Sequence, residues 1–149
     1  MGKLDRKTVS HQFNVSPETV FDGWLDPALT RQWMSIALKS MGLSGEMAQV
    51  QIDPQKGGKF LFSDTRDGVE HRHWGEYLEL DRPRKIAFTW NTEGFDESDP
   101  CHVYLSLEAT DTGCTATIVN EMDEKWADDG GATKRGWSSM LKAQDGLLK

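Results

Sequence analysis

The C-terminal segment 131–149 constrains the fold more than any other part of this chain. Five apolar residues and one glutamine recur at the spacing of one face of an α-helix. They are Trp137, Met140, Leu141, Gln144, Leu147 and Leu148. β-branched residues are scarce in the segment, which favours a helix. At about 1.5 Å per residue, this helix would be roughly 27 Å long. Because the chain before it is mostly strand-like, we predict that this helix packs its apolar face on a β-sheet.

Alternating apolar and polar residues predict seven strands before that helix. Turn sequences such as Asp67-Gly68 and Asp111-Thr112-Gly113 join consecutive strands as hairpins, so the predicted sheet is antiparallel. We therefore expect an α+β fold in which a curved, seven-stranded antiparallel sheet grips one long C-terminal helix. The predicted strands are 7–15, 48–52, 59–63, 71–80, 85–91, 102–109 and 114–122.

Two short helices are predicted between the first and second strands. Ser16 followed by Pro17 and Glu18 is a helix-start sequence, with serine as the N-cap and proline at the first helical position. Asp26-Pro27 repeats that signal for the second helix. Segment 35–47 is rich in small residues and methionine, so we expect a loop there with about one turn of helix, forming a mobile rim.

The net charge of −7 argues against two classes of partner. Affinity for nucleic acid and for anionic lipid surfaces comes largely from lysine and arginine, so neither partner is expected. The sequence has no apolar run of 18 residues and no signal-peptide pattern, which predicts a cytoplasmic protein without membrane insertion. A length of 149 residues suits a single domain, 1–149.

The two cysteines are predicted to be too far apart to form a disulfide. If the apolar faces of the last two strands match, Leu105 lies opposite Ile118 and Cys101 lies near Met122. Cys114 is then on the order of 26 Å away along the hairpin. A disulfide requires Cα atoms within about 7 Å, so we expect two buried thiols.

Four motifs, in order along the chain, carry a resemblance to a known family. They are S-P-E-x-V-F-x-x-W-x-D-P-x-L-x-x-x-W at 16–33, G-G-x-F at 57–60, G-x-Y-x-E-L-D-x-P-x-x-I-x-F-T-W at 75–90 and G-W-x-x-x-L at 136–141. Together they resemble the family related to the C-terminal domain of the activator of the 90-kDa heat-shock protein ATPase. That family belongs to the START-like, or helix-grip (SRPBCC), superfamily. The resemblance implies a helix-grip fold with a hydrophobic cavity between the sheet and the C-terminal helix.

The abundance of aromatic residues indicates that some of them line such a cavity. We predict that a small apolar, aromatic or lipid-like ligand binds there without a cofactor, to a protein that is a monomer or a homodimer. The candidate ligand-binding residues are Trp33, Phe60, Phe62, His73, Trp90, Trp137, Met140 and Leu141. The 149 residues leave no space for the separate N-terminal domain of the eukaryotic activator, so a chaperone contact is the weaker alternative.

Catalysis in the same cavity is the other alternative, of a cyclase or hydrolase kind. Its acid or base would come from His73, Glu76, Glu79 or His102, according to strand parity. The sequence has no nucleophile elbow, phosphate-binding glycine loop or H-E-x-x-H motif. His71 and His73 share one strand face, but the spacing supplies no third ligand, so no metal site is predicted.

Overall fold

The computed structural model describes residues 3–94, 100–127 and 131–148. This part of the chain has the predicted α+β architecture, with seven strands, three α-helices and one short 3-10 helix. The elements in chain order are β1 (Leu4–Phe13), α1 (Pro17–Leu25), α2 (Pro27–Ser40), β2 (Glu46–Ile52), β3 (Lys59–Arg66), β4 (Val69–Asp81), β5 (Lys85–Thr92), β6 (Cys101–Ala109), β7 (Cys114–Asp123), the 3-10 helix (Glu124–Trp126) and α3 (Ala132–Leu148).

The strands form one antiparallel sheet in the order β1-β7-β6-β5-β4-β3-β2. Strands β2 to β7 are consecutive neighbours, and β1 joins at the β7 edge. Leu105 lies opposite Ile118, which confirms the predicted register of the last hairpin. Cys114 pairs with Ala109 near the turn, whereas Cys101 begins β6 at the other end, and the two are not bridged. Cys114 is buried as expected, but Cys101 is only half-buried.

Side-chain caps start the first two helices as predicted. Ser16 Oγ accepts a hydrogen bond from the Thr19 backbone N–H at 3.2 Å. Asp26 Oδ1 accepts from the backbone N–H groups of Ala28 and Leu29 at 2.9 and 3.2 Å. These bonds satisfy donors that have no partner within the helix, and they fix where each helix begins.

The expectation of a loop at 35–47 is wrong at both ends. Helix α2 continues to Ser40, and β2 already begins at Glu46. Trp33, Met34 and Ala37 are buried at helical spacing, and their packing stabilises the extra turns that local composition does not predict.

Helix α3 packs against the other helices as well as the sheet. It contacts α2 and α1, together with β1 and β7. Trp137, Leu141, Ala143 and Gln144 are its buried residues. At the C-terminal end, Leu148 packs so closely on Gly23 that a Cβ added there would lie 3.3 Å from Leu148 Cδ1. No helix in the described ranges has both the length and the apolar character needed to cross a bilayer.

Strand β4 contains the irregularity that decides which of its side chains face the core. Its register with β5 shifts between Tyr77 and Glu79, which is a β-bulge. N-terminal to the bulge, His73, Gly75 and Tyr77 share the inner face, and Trp74 points to the outer face. The backbone of β5 runs very close to Gly75, so a Cβ there would lie 1.9 Å from Thr89 O. Only glycine fits this approach.

Candidate functional site

A pocket of about 330 Å³ opens at one end of the groove between α3 and the sheet. The N-terminal half of α3 and the C-terminal half of α2 form one side. Strands β3, β4, β5 and β7 supply the inner face of the sheet on the other side. On α3 the pocket is lined only by residues between Ala132 and Met140, and at the other end of the helix Leu148 packs on Gly23 of α1, so the pocket does not follow the whole helix.

Methionine is the most conspicuous residue type in the pocket wall. The chain has six methionines, and every one except Met1 lines this pocket. These five methionines come from four places in the fold, namely Met34 and Met41 around the end of α2, Met47 on β2, Met122 on β7 and Met140 on α3. Because methionine is unbranched and polarisable, such a wall adapts to apolar ligands of different shape.

Aromatic rings form a second part of the apolar surface. His73 stacks on Trp90 with ring centroids 4.9 Å apart and an interplanar angle of 20°. Trp90 meets Trp137 edge-on at 5.2 Å, and the Phe62 ring lies 6.2 Å from Trp90. The sheet register produces this arrangement, since His73 lies opposite Phe62 on β3 and Thr92 on β5.

His73 is held in the neutral state at physiological pH. Burial is the main cause, lowering the pKa of His73 to about 4, and nearby Arg66 acts in the same direction although Asp64 partly opposes it. One ring nitrogen, Nδ1, lies 3.1 Å from Thr92 Oγ1 and shares a hydrogen bond with it. The ring therefore presents an uncharged aromatic surface to the pocket.

The pocket also contains an internal ion pair. Arg66 Nε donates to Asp64 Oδ2 at 2.7 Å, and a second guanidinium nitrogen donates to Asp64 Oδ1 at 3.3 Å. Asp64 is buried, with 3% of its surface exposed. Among the described lining residues these two carry the formal charges, and they cancel.

A hydrogen bond between helix and sheet lies at the floor of the pocket. The indole nitrogen of Trp137 donates to Asn120 Oδ1 at 3.0 Å. Asn120 is 2% exposed, and within the described chain its Nδ2 has no hydrogen-bond partner. The donors of this amide are therefore unused.

Five of the eight predicted site residues come together in this pocket, namely Phe62, His73, Trp90, Trp137 and Met140. The other three lie in the packed core: Trp33 donates its indole N–H to Gly23 O at 3.0 Å, Phe60 stacks on Phe62 at 4.9 Å, and Leu141 is fully buried. The pocket is also lined by residues of the predicted rim segment 35–47 and of the acidic segment 91–100, which the sequence likewise predicts as a rim loop and of which 95–99 lie outside the described residues. A role for any of these side chains in ligand binding stays a prediction.

Sequence reasoning missed the polar residues of the pocket: Asp64, Arg66 and Asn120. The signal was present, because Asp64 shares strand parity with Phe60 and Phe62, and Asn120 shares it with Ile118. A polar residue on a core-facing position is a better indicator of a site than the aromatic residues around it. Of the predicted acid–base candidates, Glu76, Glu79 and His102 do not line the pocket. In the described ranges no three His, Cys, Asp or Glu side chains cluster as a metal site would require.

A family model described as "Activator of Hsp90 ATPase homolog 1-like protein" matches residues 14–149. The chain belongs to this family. The match confirms the resemblance carried by the four sequence motifs. No functionally curated protein matches the chain in sequence.

Solved structures with low sequence identity share the fold of this family member. A Chromobacterium violaceum protein is 20% identical, with 96% of each chain covered and a TM-score of 0.76. A Rhodobacter sphaeroides protein is 16% identical, covering 98% of this chain and 97% of its own, with a TM-score of 0.78. Ara h 8.0201 is 13% identical, with 98% of each chain covered and a TM-score of 0.72. At these identities the likeness establishes the helix-grip fold alone.

Proposed function

We propose that this protein binds a small apolar or aromatic molecule in the pocket between α2, α3 and the sheet, without transforming it. The observation that carries the proposal is the composition of the wall, where every methionine after Met1 lines the same pocket as Phe62, Trp90 and Trp137. A volume of about 330 Å³ is within the usual range for small-molecule sites. Apolar walls with a few polar groups are typical of such sites.

A cyclase or hydrolase using the same pocket is the second candidate, because ionisable groups converge there. The hydrogen bonding and protonation of these groups argue against catalysis. Each carboxylate oxygen of Asp64 already accepts a hydrogen bond from the Arg66 guanidinium, so Asp64 is held as the partner of that cation. A histidine with a pKa of about 4 is a weak base at neutral pH, below the range that suits proton transfer. These groups are better suited to orienting a ligand than to exchanging protons with it.

Contact with a chaperone is the third candidate and has only the printed family name behind it. Such an interaction would use the outer surface of the domain. If a chaperone is the partner, blocking the pocket should leave chaperone binding unchanged. If a small molecule is the ligand, blocking the pocket should abolish the binding of that molecule.

The two glycines of α3 allow the pocket to be blocked with a matched control. A Cβ added to Gly136 meets no atom within 4 Å, and Gly136 lines the pocket. Leucine at this position would therefore enter the pocket space. Gly146 also has nothing within 4 Å, but it is exposed near the other end of the same helix. Gly136→Leu and Gly146→Leu thus make the same chemical change, inside and outside the pocket.

The experiment is a thermal-shift screen of fatty acids, sterols, flavonoids and aromatic polyketides, read together with tryptophan fluorescence. A ligand that binds only the folded protein raises Tm in proportion to RT ln(1 + [L]/Kd). We expect a hit to raise Tm and quench emission in wild type and in Gly146→Leu, and to do neither in Gly136→Leu. A hit that Gly136→Leu still binds, or a complete lack of hits, would contradict the proposal.

A further inference from the structure

The sulfur atoms of this protein are concentrated around one pocket. The chain has six methionines and two cysteines, and five of the methionines line the pocket together with Cys101. These methionines differ in exposure: Met34 is buried, three others are half-buried, and Met41 has 40% of its surface exposed. Among the described methionines, Met41 is therefore the one that a reagent in solution reaches most readily.

A helix-terminating turn holds Met41 at the rim of the pocket. Met41 is the C-cap of α2, and the next residue, Gly42, has a positive φ of 84°. The Leu43 N–H donates to Leu38 O at 3.0 Å. The Gly42 N–H donates to Lys39 O at 3.1 Å, which completes a Schellman motif. Because these bonds fix the backbone beside Met41, its side chain is kept where it lines the pocket and also meets solvent.

Hydrogen peroxide oxidises a thioether without help from neighbouring groups. The sulfur lone pair attacks one peroxide oxygen, and the S–O bond forms as the O–O bond breaks. The other oxygen takes up the proton of the first and leaves as water, so the sulfur is oxidised and the peroxide is reduced. The product, methionine sulfoxide, is polar and chiral, and methionine sulfoxide reductases convert it back to methionine.

Oxidation of Met41 would change the chemical character of the pocket rim. A thioether is a weak hydrogen-bond acceptor, whereas the S=O group is strongly polar. Water solvates that group in the empty pocket, and an apolar molecule that packs against it displaces the water without replacing its hydrogen bonds. Covering a polar group in this way costs enough free energy to weaken binding about tenfold.

We propose that Met41 is an oxidation site, and that its conversion to the sulfoxide by peroxide weakens the binding of apolar molecules in the pocket. The exposure of Met41 selects it for the reaction, and its place in the pocket wall gives the reaction a consequence for binding. This inference rests on the proposed function and adds a reversible redox control to it.

The experiment treats the full chain with a limiting amount of hydrogen peroxide and follows two quantities. Peptide mass spectrometry shows which methionine has gained an oxygen atom. Fluorescence titration with N-phenylnaphthylamine, a neutral apolar dye, gives a dissociation constant before and after treatment. We expect Met41 to be oxidised first and the dissociation constant to rise about tenfold. Treatment with reductases for both sulfoxide epimers should restore the original value.

Two matched variants assign the effect to one sulfur atom. Met41→Leu keeps an apolar side chain that peroxide does not oxidise, and its dissociation constant should be the same before and after treatment. Met47→Leu makes the same change at a half-buried methionine of the pocket wall and should keep the wild-type response to peroxide. Each variant is compared with itself, so an effect of the substitution on binding does not imitate the effect of oxidation.

A third variant tests the polarity argument without peroxide. Met41→Gln places a polar group at the same position, and it should bind the dye about tenfold more weakly than Met41→Leu. If another pocket methionine is oxidised before Met41, or if peroxide weakens binding equally in Met41→Leu, the inference is overturned while the ligand-binding function survives. An oxidised Met41 with unchanged affinity has the same meaning. If the dye fails to bind the untreated protein, both the inference and the proposed function are contradicted.

Discussion

The indole nitrogen of Trp137 donates a hydrogen bond to Asn120 Oδ1 across the interface between α3 and β7. The same indole ring is packed beside Trp24 and Phe88 on one side and lines the pocket with Trp90 on the other. Trp137 is therefore both a core residue and a pocket wall. The orientation of the Asn120 amide depends on it.

Trp137→Ala should destabilise the protein by about 3–5 kcal/mol, as other truncations of large buried aromatics do. Trp137→Phe keeps most of the packing but leaves Asn120 without its donor, and should cost about 1–3 kcal/mol. Chemical denaturation measures both values. A loss below about 1 kcal/mol for the alanine variant would mean that α3 is peripheral to the fold.

Gly75→Ala and Gly146→Ala should change stability in opposite directions. The first places a Cβ 1.9 Å from Thr89 O, so the two strands must separate and the free energy of unfolding falls. The second adds a methyl group at an exposed helix position with nothing within 4 Å. Because alanine has a higher helix propensity than glycine, this change should raise the free energy of unfolding by about 0.5–1 kcal/mol. Urea denaturation of both variants gives the signs, and a neutral Gly75→Ala would contradict the close strand approach.

Acid should destabilise the protein through His73 between pH 6.5 and about 4. The unfolded chain binds a proton at the ordinary histidine pKa of 6.5, whereas burial lowers the pKa of folded His73 to about 4. The unfolded state therefore takes up the proton first as the pH falls, and stability is full above pH 6.5 and decreases below it. The loss is on the order of 3 kcal/mol at most, since one pKa unit corresponds to about 1.4 kcal/mol.

The control for this effect is His73→Phe, which keeps a ring against Trp90 but cannot take up a proton. Denaturant titrations at pH 7, 6, 5 and 4 should show a smaller decline for the variant than for wild type. If stability falls equally with pH in both proteins, the pKa of His73 is the same in the folded and unfolded states. His73 would then be less buried than the structure indicates.

The two cysteines should remain unbridged and differ in reactivity. Mass spectrometry of the non-reduced, denatured protein should find no loss of two hydrogens in the monomer. Under native conditions iodoacetamide should modify Cys101 faster than Cys114, because Cys101 is half-buried while Cys114 is fully buried and its burial raises the pKa of the thiol. Equal rates would place Cys114 nearer the surface than its position on β7 allows.

Local patterns predicted the elements whose causes are local. The caps at Ser16 and Asp26, the period of α3 and the register of Leu105 with Ile118 depend on neighbouring residues or on matching two apolar faces. The extension of α2 to Ser40 was missed, because its last turns are stabilised by packing and not by propensity.

For the pocket, the sequence determined which residue types were available, and the tertiary structure decided which of them meet. Phe60 and Phe62 share a strand face, yet Phe62 lines the pocket and Phe60 does not, because the position of α2 and α3 over the sheet sets where the space opens. Likewise, Asn120 is a polar residue at a core-facing position by sequence alone. Only the approach of Trp137 occupies its oxygen and leaves its nitrogen unused. Burial and partnership of this kind are properties of packed elements distant in the chain, so no local pattern encodes them.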